Sequence, residues 1–220
     1  MSASVVRLVG VSKQFHSAAG ANMVLEDVDL AIEPGQKASL VGPSGCGKST
    51  LLALMAGLLR PDTGSIQIDG QSLSSLGDEE MAGLRARRIG LALQSDNLIP
   101  FLSAFENIEL AAGFGEHADK ARRARTLLER MGVAHRANHL PRQLSGGEAQ
   151  RVSLGVALAN DPTLLLADEM VAQLDAATAG AIVSDVFGAD MAVLFVTHDP
   201  TLADRADLRL RIHNRHVVSR

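Results

Sequence analysis

A single cysteine, Cys46, stands in 220 residues, which excludes an intrachain disulfide and fits a reducing compartment. The opening stretch, MSASVVRLVG, lacks the long apolar core of a secretory signal. The longest apolar-plus-glycine run, LLALMAGLL at 51–59, falls far short of the ~20 residues that span a bilayer. The expectation is a chain soluble by itself; if it serves a membrane, another polypeptide must supply the spanning segments. Charge is nearly balanced at −4, so there is no global pull toward nucleic acid or anionic lipid, and any phosphate binding must be local. Internal repeats, low-complexity tracts and obvious linkers are lacking as well. What is present is an ordinary globular composition, long enough for one well-buried core and a smaller appended lobe.

Three short runs read as buried strands: ASLVG (38–42), TLLLAD (163–168) and AVLFVT (192–197). Each is apolar without alternation, as expected when helices cover both faces of a parallel sheet. The first leads into a glycine-rich turn and then a helix-prone stretch, KSTLLALMAGLL. By contrast, GSIQIDG alternates apolar and polar residues between PDTG and DG turn signals, the pattern of an exposed antiparallel strand. Residues 116–160 read as helical. Ala124, Leu127, Leu128 and Met131 recur at i, i+3, i+4 and i+7, which leaves the neighbouring arginines to water. Acids interleave with those arginines and no aromatic joins them, so a solvated helix face is expected rather than a nucleic-acid surface.

GPSGCGKST, Gly42 to Thr50, matches G-x-x-x-x-G-K-[ST] and sits between a predicted strand and a predicted helix. Gly42, Gly45 and Gly47 let the backbone turn its N–H groups inward, with Pro43, Ser44 and Cys46 between them. The helix that follows adds its positive end. Lys48 can reach the β- and γ-phosphates of a nucleotide, and the Ser49 hydroxyl can hold Mg²⁺. At the end of the leucine run, Asp168 is the expected Mg²⁺ holder, and Glu169 can polarise an attacking water. A second anion-friendly helix start lies in LSGGEAQ, where Ser145 and Glu148 form an S-x-x-E capping box around Gly146 and Gly147. One chain thus carries two candidate phosphate sites but a single lysine loop, which suggests that one site completes another across a dimer interface.

These motifs together resemble the nucleotide-binding subunit of the ATP-binding cassette (ABC) transporter family, over nearly the whole chain. LSGGEAQ is similar to that family's signature motif. The resemblance implies an α/β fold: a P-loop NTPase core with a mostly parallel sheet, an amino-terminal antiparallel β subdomain and an inserted helical subdomain. It also implies further site residues. Gln94 in LALQSDNL matches the glutamine that contacts Mg²⁺ and senses the permease. His198 in FVTHDP matches the histidine at the γ-phosphate. Phe15 in VSKQF matches the aromatic that stacks on adenine, and Asp175 matches the D-loop aspartate. Two subunits would pack head to tail, each ATP lying between one lysine loop and the other subunit's Ser145–Gly147 turn.

LLLADE and the 87–110 region are most similar to ATPases of the lipoprotein-releasing and macrolide-export type. The expected partners are a second cassette, identical or similar, and an integral membrane permease, with no nucleic acid. The expected location is cytoplasmic, on the inner face of the cell membrane through the permease. Segment 96–110 should border the groove that receives the permease. The implied organisation is one ATPase domain over 1–220. Residues 1–90 form the β subdomain and phosphate-loop part, 95–160 the helical subdomain, and 161–220 the rest of the core. Some positions depart from the family: Met170 and Val171 follow Glu169 where Pro-Thr is usual, Ala172 and Gln173 open the D-loop, and Ala149 and Val156 stand in the signature helix for glutamine and arginine. A regulatory or cell-division-type cassette that binds ATP with little turnover is the alternative those changes raise.

Overall fold

The alternation in the amino-terminal third requires a sheet with one dry face, and the computed structural model contains it. The structure describes residues 4–17, 20–93, 98–115 and 117–219. They divide into two compact units, Met1–Ala82 with Met191–Arg220, and Gly83–Asp190. In the first unit the elements are β1 (Val6–Ser17), β2 (Gly20–Ile32), β3 (Lys37–Val41), α1 (Lys48–Met55), β4 (Thr63–Ile68) and β5 (Gln71–Ser72). After the second unit's residues come β8 (Ala192–Val196), α7 (Pro200–Ala203), β9 (Leu208–His213) and β10 (His216–Ser219).

β1 pairs antiparallel with β2 on one edge and with β4 on the other, and β4 continues antiparallel into β5. Ile66 and Ile68 of β4 are buried while Gln67 between them faces out, so GSIQIDG is the antiparallel strand its alternation predicts. The DG signal is a two-residue hairpin turn. Asp69 and Gly70 both have positive φ, 47° and 76°, as a type I′ turn requires. In the second sheet β3 runs parallel to β8 on one side and to β9 on the other, and β10 folds back antiparallel on β9. Ala38, Leu40, Val193, Leu194 and Phe195 are fully buried, which explains the absence of alternation in these strands. Leu51, Leu52, Leu54 and Met55 of α1 are buried as well.

The second unit holds β6 (Ile89–Ala92), α3 (Ala104–Ala112), α4 (Lys120–Arg130), α5 (Gly146–Ala157), β7 (Leu164–Asp168) and α6 (Ala176–Gly188). The helix α2 (Asp78–Arg88) leads into it, and β6 and β7 are parallel, Ala92 opposite Ala167. Ala124, Leu127, Leu128 and Met131 are all buried, as their spacing predicts. Gly155 lets α3 and α5 approach, since a β-carbon there would lie 2.8 Å from Ile108 Cδ1.

Two expectations need correction. Residues 116–160 are not one helical stretch: between α4 and α5 the chain runs through two single 3₁₀ turns, 134–136 and 141–143. Gly132, with a φ of 66°, ends α4 in a left-handed cap, and Pro141 removes a helical N–H donor further on. Nor do all the arginines of α4 go to water. Arg123 donates to the carbonyls of Leu158 (2.8 Å) and Ala159 (3.0 Å) and to Asp161 (2.5 Å), closing the carboxyl end of α5. The Leu158 carbonyl also takes the Asp161 N–H at 3.4 Å, and a guanidinium fork fits two carbonyls of a helix end at once. No helix of the described residues is long and apolar enough to cross a membrane.

Candidate functional site

β3 ends at Val41, and the chain turns through Gly42–Gly47 into α1. Gly45 and Gly47 have φ of 75° and 109°, conformations that L side chains rarely adopt. Gly47 is also needed for space: a β-carbon there would meet Val24 Cγ1 at 3.0 Å and the Val24 carbonyl at 3.2 Å. Gly47 supplies no side-chain cap to α1, whose first N–H groups lie at the loop. Lys48 is buried, and its Nζ donates to the carbonyls of Gly42 (2.9 Å) and Pro43 (2.8 Å) across the mouth of the loop. Ser49 is exposed in the first turn of α1 and Thr50 follows half-buried. Ser44 is exposed, and Cys46 is half-buried with its Sγ against Gly42, where a β-carbon would lie 2.7 Å from the sulfur. Donor N–H groups, a cation and a hydroxyl converge on one cradle, which fits the oxygens of a polyphosphate and a bound Mg²⁺.

The parallel register of Leu40 with Val196 brings His198 to the same sheet end as this loop. Ligands bind at the carboxyl ends of parallel strands in such sheets, where loop residues are free to converge. His198 is exposed. The next residue, Asp199, caps α7 by accepting from the Thr201 hydroxyl (2.7 Å) and N–H (2.8 Å). Those two bonds, hydroxyl first, hold its carboxyl below the ordinary carboxylate range. Phe15 lies in β1, 41% exposed, with the Lys13 ammonium 5.7 Å from its ring.

The remaining site residues belong to the second unit. Asp168 closes β7 and Glu169 follows it, both half-buried; Glu169 has a φ of 56°. The capping box expected at the start of α5 is formed. Ser145 Oγ accepts from the Glu148 N–H (3.2 Å), and Glu148 Oε2 accepts from the Ser145 N–H (2.8 Å). Because Ser145 accepts with its oxygen, its hydroxyl proton is available to donate. Arg136 donates to Glu148 Oε1 at 2.7 Å. The Ser145 N–H first, then the Arg136 guanidinium, pulls the Glu148 carboxyl down to about 2. Gly146 and Gly147 leave room for the D-loop: a β-carbon on Gly146 would collide with Gln173 Oε1, and one on Gly147 would lie 2.8 Å from the Gln173 carbonyl. Asp175 caps α6, accepting from the Ala177 (3.1 Å) and Thr178 (3.0 Å) N–H groups. The Thr178 side chain and then its N–H lower the Asp175 carboxyl. Gln94 lies outside the described residues.

Sequence reasoning overlooked several residues. The capping box of α3, Ser103 with Glu106, carries the same S-x-x-E signal as the one recognised in α5. Asn107 had no such signal: buried, it accepts from the Ile99 N–H (2.7 Å) and donates to the carbonyls of Leu102 and Ser103 (2.9 Å each), tying 98–103 to α3. Arg136 and Gln150 likewise reach partners that only folding brings close.

A strand, a glycine loop that cradles phosphate, and a helix beginning with lysine and serine define a P-loop nucleotide-binding protein. The family model described as "ABC transporter" matches residues 25–172, and the chain belongs to that family. The lipoprotein-releasing system ATP-binding protein LolD of Ruegeria pomeroyi is 45% identical over 220 residues, 96% of this chain and 96% of that one. The macrolide export ATP-binding/permease protein MacB of Rhodopseudomonas palustris is 39% identical across all of this chain, which spans 34% of MacB. Among solved structures, the dimeric ATP-binding cassette MJ0796 bound to ADP and Pi matches with a TM-score of 0.93 at 34% identity, covering 98% of this chain and 97% of that one. The expected α/β cassette fold is therefore present, and the chain is an ABC ATPase that binds ATP.

Proposed function

We propose that this cassette dimerises head to tail around two Mg·ATP and uses their hydrolysis to drive a separate membrane permease of the lipoprotein-releasing or export type. The observation that carries the reading is the phosphate cradle, Gly42–Ser49, in a chain that retains Asp168, Glu169, His198 and the Ser145–Gly147 turn. The export branch is supported by end-to-end similarity to a protein named for lipoprotein release, and the dimer by the dimeric MJ0796 cassette. One ATPase domain over 1–220, on the inner face of the cell membrane through its permease, is the matching organisation.

Residue by residue, the loop N–H groups of Gly42–Ser49 bind phosphate oxygens, with Thr50 behind them. Lys48 gives up the Gly42 and Pro43 carbonyls for the β- and γ-phosphates, exchanging neutral acceptors for anionic ones. Phe15 offers its exposed ring to the adenine. Ser49, Asp168 and Gln94 are the Mg²⁺ holders. Bound there, the cation would neutralise charge that develops on the phosphate oxygens. Glu169 orients the attacking water and takes its proton, and His198 donates to the γ-phosphate. The partner's Ser145, Gly146 and Gly147 close over the same phosphate with backbone N–H groups, and the partner's Glu148 and Asp175 hold that turn and the D-loop in place.

In the test, purified chain should hydrolyse Mg·ATP, and Glu169→Gln should lower turnover by about a hundredfold or more, to a small residual rate, while trapping an ATP-bound dimer seen by size-exclusion chromatography. Equal phosphate release by wild type and Glu169→Gln would sink the catalytic assignment. The substitutions at 170–173 favour one rival, a regulatory cassette. It predicts ATP-dependent dimers without appreciable turnover even with the permease present, and robust permease-stimulated hydrolysis eliminates it.

A further inference from the structure

One side chain ties the signature helix to the turn that follows the catalytic strand. Gln150, half-buried on α5, donates from Nε2 to the Glu169 carbonyl. Its Oε1 accepts the Gln173 N–H at 3.1 Å. The Glu169 carbonyl also accepts the Ala172 N–H at 3.2 Å, so 169–172 closes as a turn in its own right. A single carboxamide therefore grips the first and the last residue of the segment 169–173, using both its donor and its acceptor.

What it grips is unusual. Glu169 is the one residue between 163 and 180 with positive φ that is not glycine, at 56°. L residues rarely adopt that conformation, and such backbones persist only where the surroundings over-determine them. The sequence EMVAQLD contains neither glycine nor proline, so no residue in the turn is intrinsically suited to it or fixes φ covalently. Beyond the local Ala172 bond, restraint comes from tertiary bonds, and Gln150 supplies two. The direction of the Glu169 Cα–Cβ bond follows from its φ. A return to the right-handed region would swing the carboxylate away from its present heading.

We propose that Gln150 is a positioning residue for hydrolysis: by clamping the Glu169 carbonyl and the Gln173 N–H, it holds Glu169 left-handed and aims its carboxylate at the attacking water. This rests on Glu169 acting as the base. Gln150 sits three residues after Gly147 on the same helix, so the seating of the Ser145–Gly147 turn and the aim of the base share one rigid element.

The test compares steady-state Mg·ATP hydrolysis by full-length wild type, Gln150→Leu, Gln150→Glu and Glu169→Gln. The glutamate variant matches glutamine in size and can still accept the Gln173 N–H, but it opposes the Glu169 carbonyl with a negative charge. Both Gln150 variants should lower kcat by about tenfold or more with KM for ATP within about twofold of wild type, the signature of an interaction needed in the transition state alone. In a Glu169→Gln background, Gln150→Leu should change the residual rate by less than about twofold, because the group it aims is gone. A kcat within twofold of wild type in a folded Gln150 variant overturns the proposal, as does a raised KM at unchanged kcat or a full tenfold loss repeated in the Glu169→Gln background. Gln150→Glu decides alone if the leucine variant does not fold. Wild-type turnover by Glu169→Gln itself would instead remove the assignment of the base, an outcome readable without any Gln150 variant.

Discussion

Arg123→Ala removes the fork that closes the carboxyl end of the signature helix, and its cost can be worked from the contacts. Two bonds to backbone carbonyls are lost, at 2.8 and 3.0 Å, from a side chain only 20% exposed. Leu158 and Ala159 are buried, 3% and 1% exposed, so water reaches their carbonyls poorly after truncation. The Ala159 carbonyl, a buried acceptor that loses the Arg123 bond, costs about 1–3 kcal/mol, while the Leu158 carbonyl keeps the Asp161 N–H at 3.4 Å and loses one bond worth about 1 kcal/mol. The ion pair to Asp161 adds little, since that carboxylate is 65% exposed and such pairs contribute about 0–1 kcal/mol. The sum is about 3 kcal/mol, which for a chain of this length lowers Tm by roughly 6–12 °C. Arg123→Lys, able to bond one carbonyl but not to fork, should lose about half as much. The control is Arg122→Ala on the exposed face of α4, expected within about 0.5 kcal/mol of wild type. Denaturant titrations and thermal melts of the three variants give the comparison. If Arg123→Ala and Arg122→Ala melt within 1–2 °C of one another, on the order of the control's own ~0.5 kcal/mol, the carbonyl fork is not holding α5 and the reasoning fails.

Further outcomes follow from the capping box and the phosphate loop. The Glu148 carboxyl lies at about 2 in the folded chain against an ordinary 4.5, so its contribution is fully present above pH 4.5 and is lost as pH falls toward 2. Glu148→Gln should flatten that segment of the stability-versus-pH curve relative to wild type, and parallel curves would contradict the assignment. Gly47→Ala should cost about 2 kcal/mol or more from its left-handed φ and its contact with Val24, and should abolish binding of a fluorescent ATP analogue. Gly45→Ala, with φ of 75° but nothing within 4 Å, should retain weakened binding. An alanine at 47 that binds nucleotide like wild type would overturn the geometric account of the cradle.

The sequence by itself determined the parts whose physics is local. A buried parallel strand cannot alternate, so ASLVG and AVLFVT announced themselves, and the DG pair announced a turn after β4, which the structure closes as a hairpin with two positive φ angles. The phosphate loop was legible because glycine spacing, lysine and serine all act within one strand–turn–helix unit, and the Ser145–Glu148 box because a helix start is satisfied by residues three apart. Nothing local could have announced Arg123 on the carbonyls of Leu158 and Ala159, 35 and 36 residues away, or Arg136 on Glu148. The left-handed Glu169 and its grip by Gln150 are of the same kind. EMVAQLD carries no residue that asks for a positive φ, and the conformation exists because α5 brings a carboxamide to both ends of the turn. Short-range hydrogen bonding and steric preference are written in neighbouring residues. Bonds that close only when distant elements pack were decided by the tertiary structure alone, because backbone donors and acceptors are the same at every position and only proximity selects among them.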